Sequence, residues 1–363
     1  MSDLLYSDTE EALRDSVRQL LADRCPPESV ARAYDPEPQD FSGVWRTLAA
    51  DLGVAGLLVP ESLGGAGAGA REAAVVMEEI GRAVAPVPFL SSAVLATVAL
   101  LRAGDTETVS ALAQGELTAA LVVPLSTAPG DPTTAVSGGA DGLSGSVTSV
   151  AGAAEADVLV VPVAGPDGLE LHTVPRAAAG VRVSPLVALD MTRPLADVSF
   201  SAAASSRVGP ADGPVAEALR TGAALLASEQ LGVAQWCFDT TLAYVKQRKQ
   251  FGRAIGSYQA VKHRLADLWF EVGAATAAAR YAADTCARDD EDAAVATALA
   301  QAYCSGIAVR AAEECVQLHG GIGMTWEYPA HLYLKRAKSD QLIFGTAYRH
   351  RARLAELVDL PPS

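Results

Sequence analysis

The chain has 363 residues, a formal net charge of −15 and a pI near 4.8, with half its residues hydrophobic and a fifth charged. This length accommodates two or three domains with a sizeable core, and the acidic balance excludes nucleic acid as a general partner. Five cysteines (Cys25, Cys237, Cys286, Cys304, Cys315) lie apart without metal-ligand spacing and read as small core residues of a reducing compartment. The N-terminus has no basic region before an apolar run, and no apolar stretch is long enough to span a bilayer. A soluble cytoplasmic protein is therefore expected.

Ser7-Asp-Thr-Glu10 has the form of a capping box, and Leu13, Val17, Leu20 and Leu21 continue at helical spacing until Cys25-Pro-Pro27. Val44, Leu48 and Leu52 mark another helix, with Trp45 beside Val44. Gly64-Gly-Ala-Gly-Ala-Gly69 invites a phosphate-loop reading but fails its context: no Lys-Ser/Thr follows and no βαβ pattern surrounds it. It reads as a flexible turn before a helix. Helical pattern resumes over 73–83 and 90–101. The expectation is a helical domain over 1–115.

Short β-type runs follow: Leu121–Leu125, Asp157–Val163, Leu169–Val174, Val181–Val183 and Ala196–Phe200, divided by Gly, Pro and Asp turns. They predict a small, mostly antiparallel sheet domain over 116–207, with Ala/Gly/Ser-rich linkers between the runs. Long helices return over 208–363. Leu226, Val233, Cys237, Thr240 and Tyr244 follow one face, and Leu265, Leu268, Val272, Ala275 and Ala279 another.

Where the first of these helical patterns stops, Lys246, Arg248, Lys249 and Arg253 fall together with no acid among them, against the overall charge. Gly252 suits a left-handed cap just past a helix end, and cations there suit the negative end of the helix dipole. A planar guanidinium at Arg248 equally suits phosphate oxygens. A second stretch runs Gln317-Leu-His-Gly-Gly-Ile-Gly323. Its glycine pair either terminates a helix or lets bare backbone approach a ligand. His319 reads as a core or surface histidine.

The Arg248-Lys-Gln-Phe-Gly252 run, Gln259 and the Gln317–Gly323 run, in this order, resemble the acyl-CoA dehydrogenase family. So do Gly56–Gly65 and Glu78–Arg82 in the N-terminal part. The resemblance implies an α+β fold: N-terminal helical domain, middle antiparallel β domain, C-terminal helical bundle. It also implies FAD, an acyl-CoA or related thioester substrate, and an electron-acceptor flavoprotein as partner. In this family a carboxylate removes the α-proton while a flavin accepts the β-hydride. The sites are built between subunits of a homo-oligomer or of a hetero-oligomer with a paralogous chain. Carried over residue by residue, Arg248 corresponds to the pyrophosphate-binding arginine, Phe251 to the aromatic packed on the cofactor, and Gln259 to a polar contact near the adenine. Gln317, Gly320 and Gly321 correspond to the run where backbone meets the dinucleotide, and Thr346 to a further cofactor contact.

The departures are as informative. The usual catalytic glutamate precedes Gly-Thr, but here Phe344 stands before Gly345-Thr346. Some members carry the base earlier, at the position of Gly222, which cannot ionise. Glu229, about 10 Å further along that helix, is the remaining candidate, as a buried structural carboxylate or as an unusual base. The family's flavin-contacting Thr-Glu-Pro-Gly run corresponds at best to Ser126–Gly130, and its Trp-x-Thr run to Ser149–Ala151. The pattern resembles the base-lacking subunit of unequal-subunit bacterial members. The alternatives are a non-catalytic partner subunit and a flavin enzyme of the same fold with other chemistry.

Overall fold

The computed structural model describes residues 4–133, 136–165 and 168–360. Its N-terminal part is helical: α1 (Asp8–Arg24), α2 (Pro27–Ala31), α3 (Ser42–Arg46), α4 (Ala70–Ala83), α5 (Thr97–Ala103) and α6 (Glu107–Ala113). The capping box opens α1. The Ser7 hydroxyl accepts from the Glu10 N–H at 3.3 Å, and the Glu10 carboxylate accepts from the Ser7 N–H at 2.6 Å. Val17 and Leu21 are its buried stripe. The 90–101 pattern splits into a fully buried π-helical segment, Phe89–Ala96, and α5.

Among the described residues eight strands follow: β1 (Ala119–Leu121), β2 (Val136–Gly139), β3 (Gly142–Ala151), β4 (Val158–Gly165), β5 (Gly168–Pro175), β6 (Val181–Pro185), β7 (Leu195–Ala203) and β8 (Ser206–Pro210). Their order is β6-β7-β3-β2-β4-β5-β8, with β1 beside β4. Pairing is antiparallel except that β1 and β2 run parallel to β4. β2 and β3 correct the sequence reading, which took this stretch for linker. Glycine and serine depress its β propensity, yet Leu143, Val147 and Val150 are buried with Val161, Val198 and Phe200 in the sheet's own core. The ladder to β7 shifts register between Val147 and Val150, and Ser149 sits there at φ +57°.

The C-terminal bundle comprises α7 (Asp212–Gln247), α8 (Gln259–Ala287), α9 (Ala293–His319), α10 (Ala330–Asp340) and α11 (Ala347–Leu357). A short hairpin, β9 (Lys249–Gln250) with β10 (Arg253–Ala254), follows α7. The 36-residue α7 is the axis of the molecule and is buried over most of its length. The helix α4 crosses it backbone to backbone: a Cβ on Gly232 would lie 1.9 Å from the Glu78 carbonyl oxygen. On another face Trp236 stacks on Tyr333 of α10 with ring centroids 3.5 Å apart, and the Tyr333 hydroxyl donates to the Arg82 carbonyl at 2.8 Å. Among the described residues, no helix is long and apolar enough to cross a membrane.

Candidate functional site

The structure places the sequence-predicted residues other than Glu229 toward one end or the other of α7. At the C-terminal end, the helix stops at Gln247, and Arg248 caps it in extended conformation. Gly252 does not cap the helix, as its spacing suggested. It turns the hairpin: Phe251 at φ +51° and Gly252 at φ +82° are the central residues of a two-residue turn between β9 and β10. Positive φ at both positions is the geometry such tight hairpins favour. A phenylalanine there is strained, and its ring is 93% exposed. Tyr258 braces the hairpin, its hydroxyl donating to the Gln250 carbonyl at 3.4 Å while Arg253 lies 3.8 Å over its ring. Gln259 is exposed in the first turn of α8.

The end of α9 comes to the same place. The Tyr244 hydroxyl donates to the His319 carbonyl at 3.4 Å, and the two rings stack at 4.2 Å. His319 is buried, with Nδ1 2.7 Å from the Cys315 carbonyl and Nε2 2.6 Å from the Tyr328 hydroxyl. This histidine therefore pins the two helix ends together. Arg248, Phe251 and Gln259 thus share an open face with Gln317, Gly320 and Gly321, all of them exposed. Arg248 has no carboxylate partner among the described residues. The two glycines differ. Gly320 caps α9 at φ +66°, which alone calls for glycine. Gly321 has no such φ, and a Cβ there would meet nothing within 4 Å. Among the described residues nothing asks for glycine at 321.

At the N-terminal end of α7 the departures from the family pattern converge. The Leu125 N–H donates to the Ser149 carbonyl at 3.0 Å, and the Phe344 N–H donates to the Leu125 carbonyl at 3.0 Å. Phe344 is fully buried at φ +55°. A Cβ on Gly222 would lie 2.9 Å from its ring and 2.6 Å from a Leu95 methyl. Both positions at which the family carries its base are therefore face to face, and the phenyl ring fills the space between them. Burying that ring contributes about 2–3 kcal/mol. Thr346 is the N-cap of α11, its hydroxyl accepting from the Arg349 N–H at 3.5 Å. A cleft of about 690 Å³ opens nearby between the 128–131 loop, α7, α9 and α11. Its charges are paired, Arg349 with Asp131, Arg220 with Glu217 and Arg353 with Glu356. Phe344 and Gly222 are not among its lining residues.

Glu229 lies between the two ends and is fully buried. Both of its oxygens accept from the Arg193 guanidinium at 2.6 Å, and Arg336 donates to Oε1 as well. Burial pushes its carboxyl upward, but the Arg193 and Arg336 guanidiniums outweigh burial and hold it below the usual carboxylate range. Arg336 also grips Asp190 at 2.6 Å, and Arg193 grips Asp340 at 2.6 Å. Of the two sequence readings of Glu229, the buried structural carboxylate is the one its burial and guanidinium partners fit; the cluster around it, which joins the loop between β6 and β7 to α7 and α10, was not anticipated. Its one local signal is Arg336 and Asp340, four apart on one helix face.

Two family models match the chain. Acyl-CoA dehydrogenase, N-terminal domain, covers residues 7–113, and Acyl-CoA dehydrogenase, C-terminal domain, covers residues 214–358. Acyl-CoA dehydrogenase IpdE2 of Mycolicibacterium smegmatis is 36% identical over 96% of this chain and 98% of its own length. Among solved structures, the ChsE4-ChsE5 complex from Mycobacterium tuberculosis contains a chain 28% identical, with a TM-score of 0.87 and full coverage of both chains. The Tcur3481-Tcur3483 steroid ACAD contains another, 28% identical with a TM-score of 0.84, covering 97% of this chain and 98% of that one. With its ends matched by both domain models, and a curated relative aligned along nearly its whole length, the chain belongs to the acyl-CoA dehydrogenase family.

Proposed function

We propose that this chain is one subunit of an FAD-dependent acyl-CoA dehydrogenase assembled with a paralogous chain. It lends the phosphate-and-adenine half of a shared site and no catalytic base. One observation carries the reading. The open half-site and the filled half-site sit at opposite ends of α7, with Gly222 and Arg248 roughly 39 Å apart at 1.5 Å per residue. One dinucleotide cannot span that distance, so a cofactor held at the open half-site has its reactive ring on another chain.

The residues of the open face fit the diphosphate and adenine of FAD. Arg248 is exposed without an internal counter-ion, Phe251 is held outward by a strained turn, and Gly321 leaves its backbone bare. When bound, the flavin supplies the hydride acceptor for oxidising the Cα–Cβ bond of the acyl thioester. The chain's own residues bind and orient. Arg248 neutralises phosphate charge through a planar fork. Phe251 packs an apolar face on the cofactor, and the N–H groups of the glycine run approach without a Cβ in the way. Proton removal falls to the neighbour. Phe344 and Gly222 cannot ionise, and Glu229 is fully buried with both oxygens already occupied by guanidinium. The family likeness of the relatives built as pairs, ChsE4-ChsE5 and Tcur3481-Tcur3483, supports the unequal assembly.

Co-expression tests this. The chain purified alone is expected to be colourless. With its paralogue it is expected to yield a yellow complex that bleaches anaerobically with an acyl-CoA. Yellow protein that bleaches on its own would overturn the proposal in favour of a homomeric enzyme. A complex that stays colourless would overturn it in favour of a purely structural subunit.

A further inference from the structure

The buried cluster around Glu229 holds three carboxylates, Asp190, Glu229 and Asp340, against two guanidiniums, Arg193 and Arg336. The carboxylates and Arg336 are 2% exposed or less. Such a site is one negative charge in excess unless one acid is neutral, and an uncompensated buried charge is costly. The partners decide which acid that is. Glu229 accepts from both guanidiniums. Asp190 accepts from Arg336 and from the Thr192 hydroxyl and N–H, with the Tyr34 hydroxyl 3.4 Å away. Asp340 accepts from Arg193 alone through Oδ1, and its Oδ2 is buried without a partner.

A second orphan lies beside it. Gln230 Oε1 is buried without a partner, while its Nε2 donates to the Asp340 carbonyl at 3.3 Å and to Gln301 Oε1 at 3.4 Å. Flipping the Gln230 amide would aim its oxygen at two acceptors. Gln301 cannot turn to help, because its own Nε2 donates to the Ala223 carbonyl at 2.6 Å. Gln230 Oε1 and Asp340 Oδ2 are thus two acceptors lacking a donor on neighbouring groups. The Gln230 Nε2 bond to the Asp340 carbonyl keeps the two residues adjacent, and one hydrogen atom shared between the two orphans would satisfy both.

We propose that Asp340 holds a proton, donated from Oδ2 to Gln230 Oε1, and that this proton latches the 186–194 loop of the sheet onto α7 and α10. Burial, then the charge of Glu229, pushes the Asp340 carboxyl up to about 7. The charged groups acting on it are Arg193 and Asp190 from the loop, Glu229 from α7 and Arg336 from its own helix; from α9, neutral Gln301 bonds the neighbouring Gln230, and Glu313 is paired with Lys338. A carboxyl raised in the folded state favours folding where the native protein binds the extra proton. Its contribution is complete below the ordinary carboxylate range and falls as pH climbs toward neutrality. Above that, the cluster carries excess negative charge. Arg193, at 11% side-chain exposure, is its most accessible member, so the loop is where it opens.

Asp340→Asn mimics the protonated acid, with an N–H for Gln230 and an oxygen for Arg193. The melting temperature of the wild-type protein is expected to fall from about pH 4 and to level off by about pH 8, relative to that of D340N over the same range. In parallel, infrared difference spectra of the wild type across the same range should show loss of a buried carboxylic-acid C=O band, absent from D340N. Parallel pH profiles for the two proteins would overturn the latch. So would a wild-type spectrum with no such band, a result that stands even if D340N folds poorly.

Discussion

The two ends of α7 are built from the same helix and differ in what completes them. At its N-terminal end the chain completes itself: Leu125, Ser149 and Phe344 are bonded backbone to backbone, and the phenyl ring fills the space over Gly222. At its C-terminal end the chain stops short. An unpaired guanidinium, a phenylalanine in a left-handed turn and a glycine without internal cause face solvent together. A chain that supplied both kinds of half-site to its assembly would show matching openness at both. On the proposed function, this contrast is what catalytic chemistry ceded at one end and cofactor binding kept at the other would leave.

The harshest way to break that comparison is Phe344→Glu, which restores the family's carboxylate by residue type. The ring's space is closed by Leu95 and Gly222 and the side chain is fully buried, so a carboxylate there would be desolvated. The exchange is expected to cost about 3–5 kcal/mol of stability, read as a lower denaturation midpoint, with no acyl-CoA turnover gained by the chain alone. A variant as stable as its parent that bleaches with substrate would show the filled end to be a working site with one residue exchanged.

Arg248→Ala tests the open end. Removing one partner of a desolvated charge pair costs roughly 2–3 kcal/mol, about a 30-fold or greater loss of FAD affinity in the co-expressed complex. Because the side chain is exposed and unpaired in the protomer, the melting temperature of the isolated chain should hold. Flavin content unchanged after gel filtration would remove Arg248 from the site.

The contrast between the ends was legible in the sequence to different depths. The open end was legible because its residues are contiguous runs whose types suit phosphate and backbone approach. Its hairpin was not, since a helix cap and a tight turn ask for the same glycine, and only the strand pairing tells them apart. At the filled end the absence of a carboxylate at 344 and at 222 was plain. That one position plugs the other was not, because they lie far apart in the chain and meet only through packing. The β2–β3 hairpin was hidden by glycine and serine. Glu229 stood out as an acid on an apolar helix, but the partners of the buried cluster were hidden because they come from one loop and a second helix, each unremarkable alone. Thr346, carried over as a cofactor contact, does a helix cap's work in the structure, a role any Ser/Thr before a helix could have suggested.

The mildest substitution sharpens the comparison most, because it separates folding from binding at a single atom. Gly321→Ala adds one methyl to an exposed position with ordinary backbone geometry and open space around it. In the isolated chain such a change is neutral or slightly stabilising, within about 1 kcal/mol, since alanine has less unfolded-state freedom to lose. If Gly321 is bare only to admit a ligand of the assembled protein, the same methyl should lower FAD retention in the complex with the melting temperature of the isolated chain unchanged. Gly320→Ala is the internal control: its positive φ makes alanine strained, so stability should drop whether or not a cofactor is bound. Equal flavin retention in wild type and Gly321→Ala would leave that glycine without a function at the open face, and would narrow the half-site to the guanidinium and the hairpin tip.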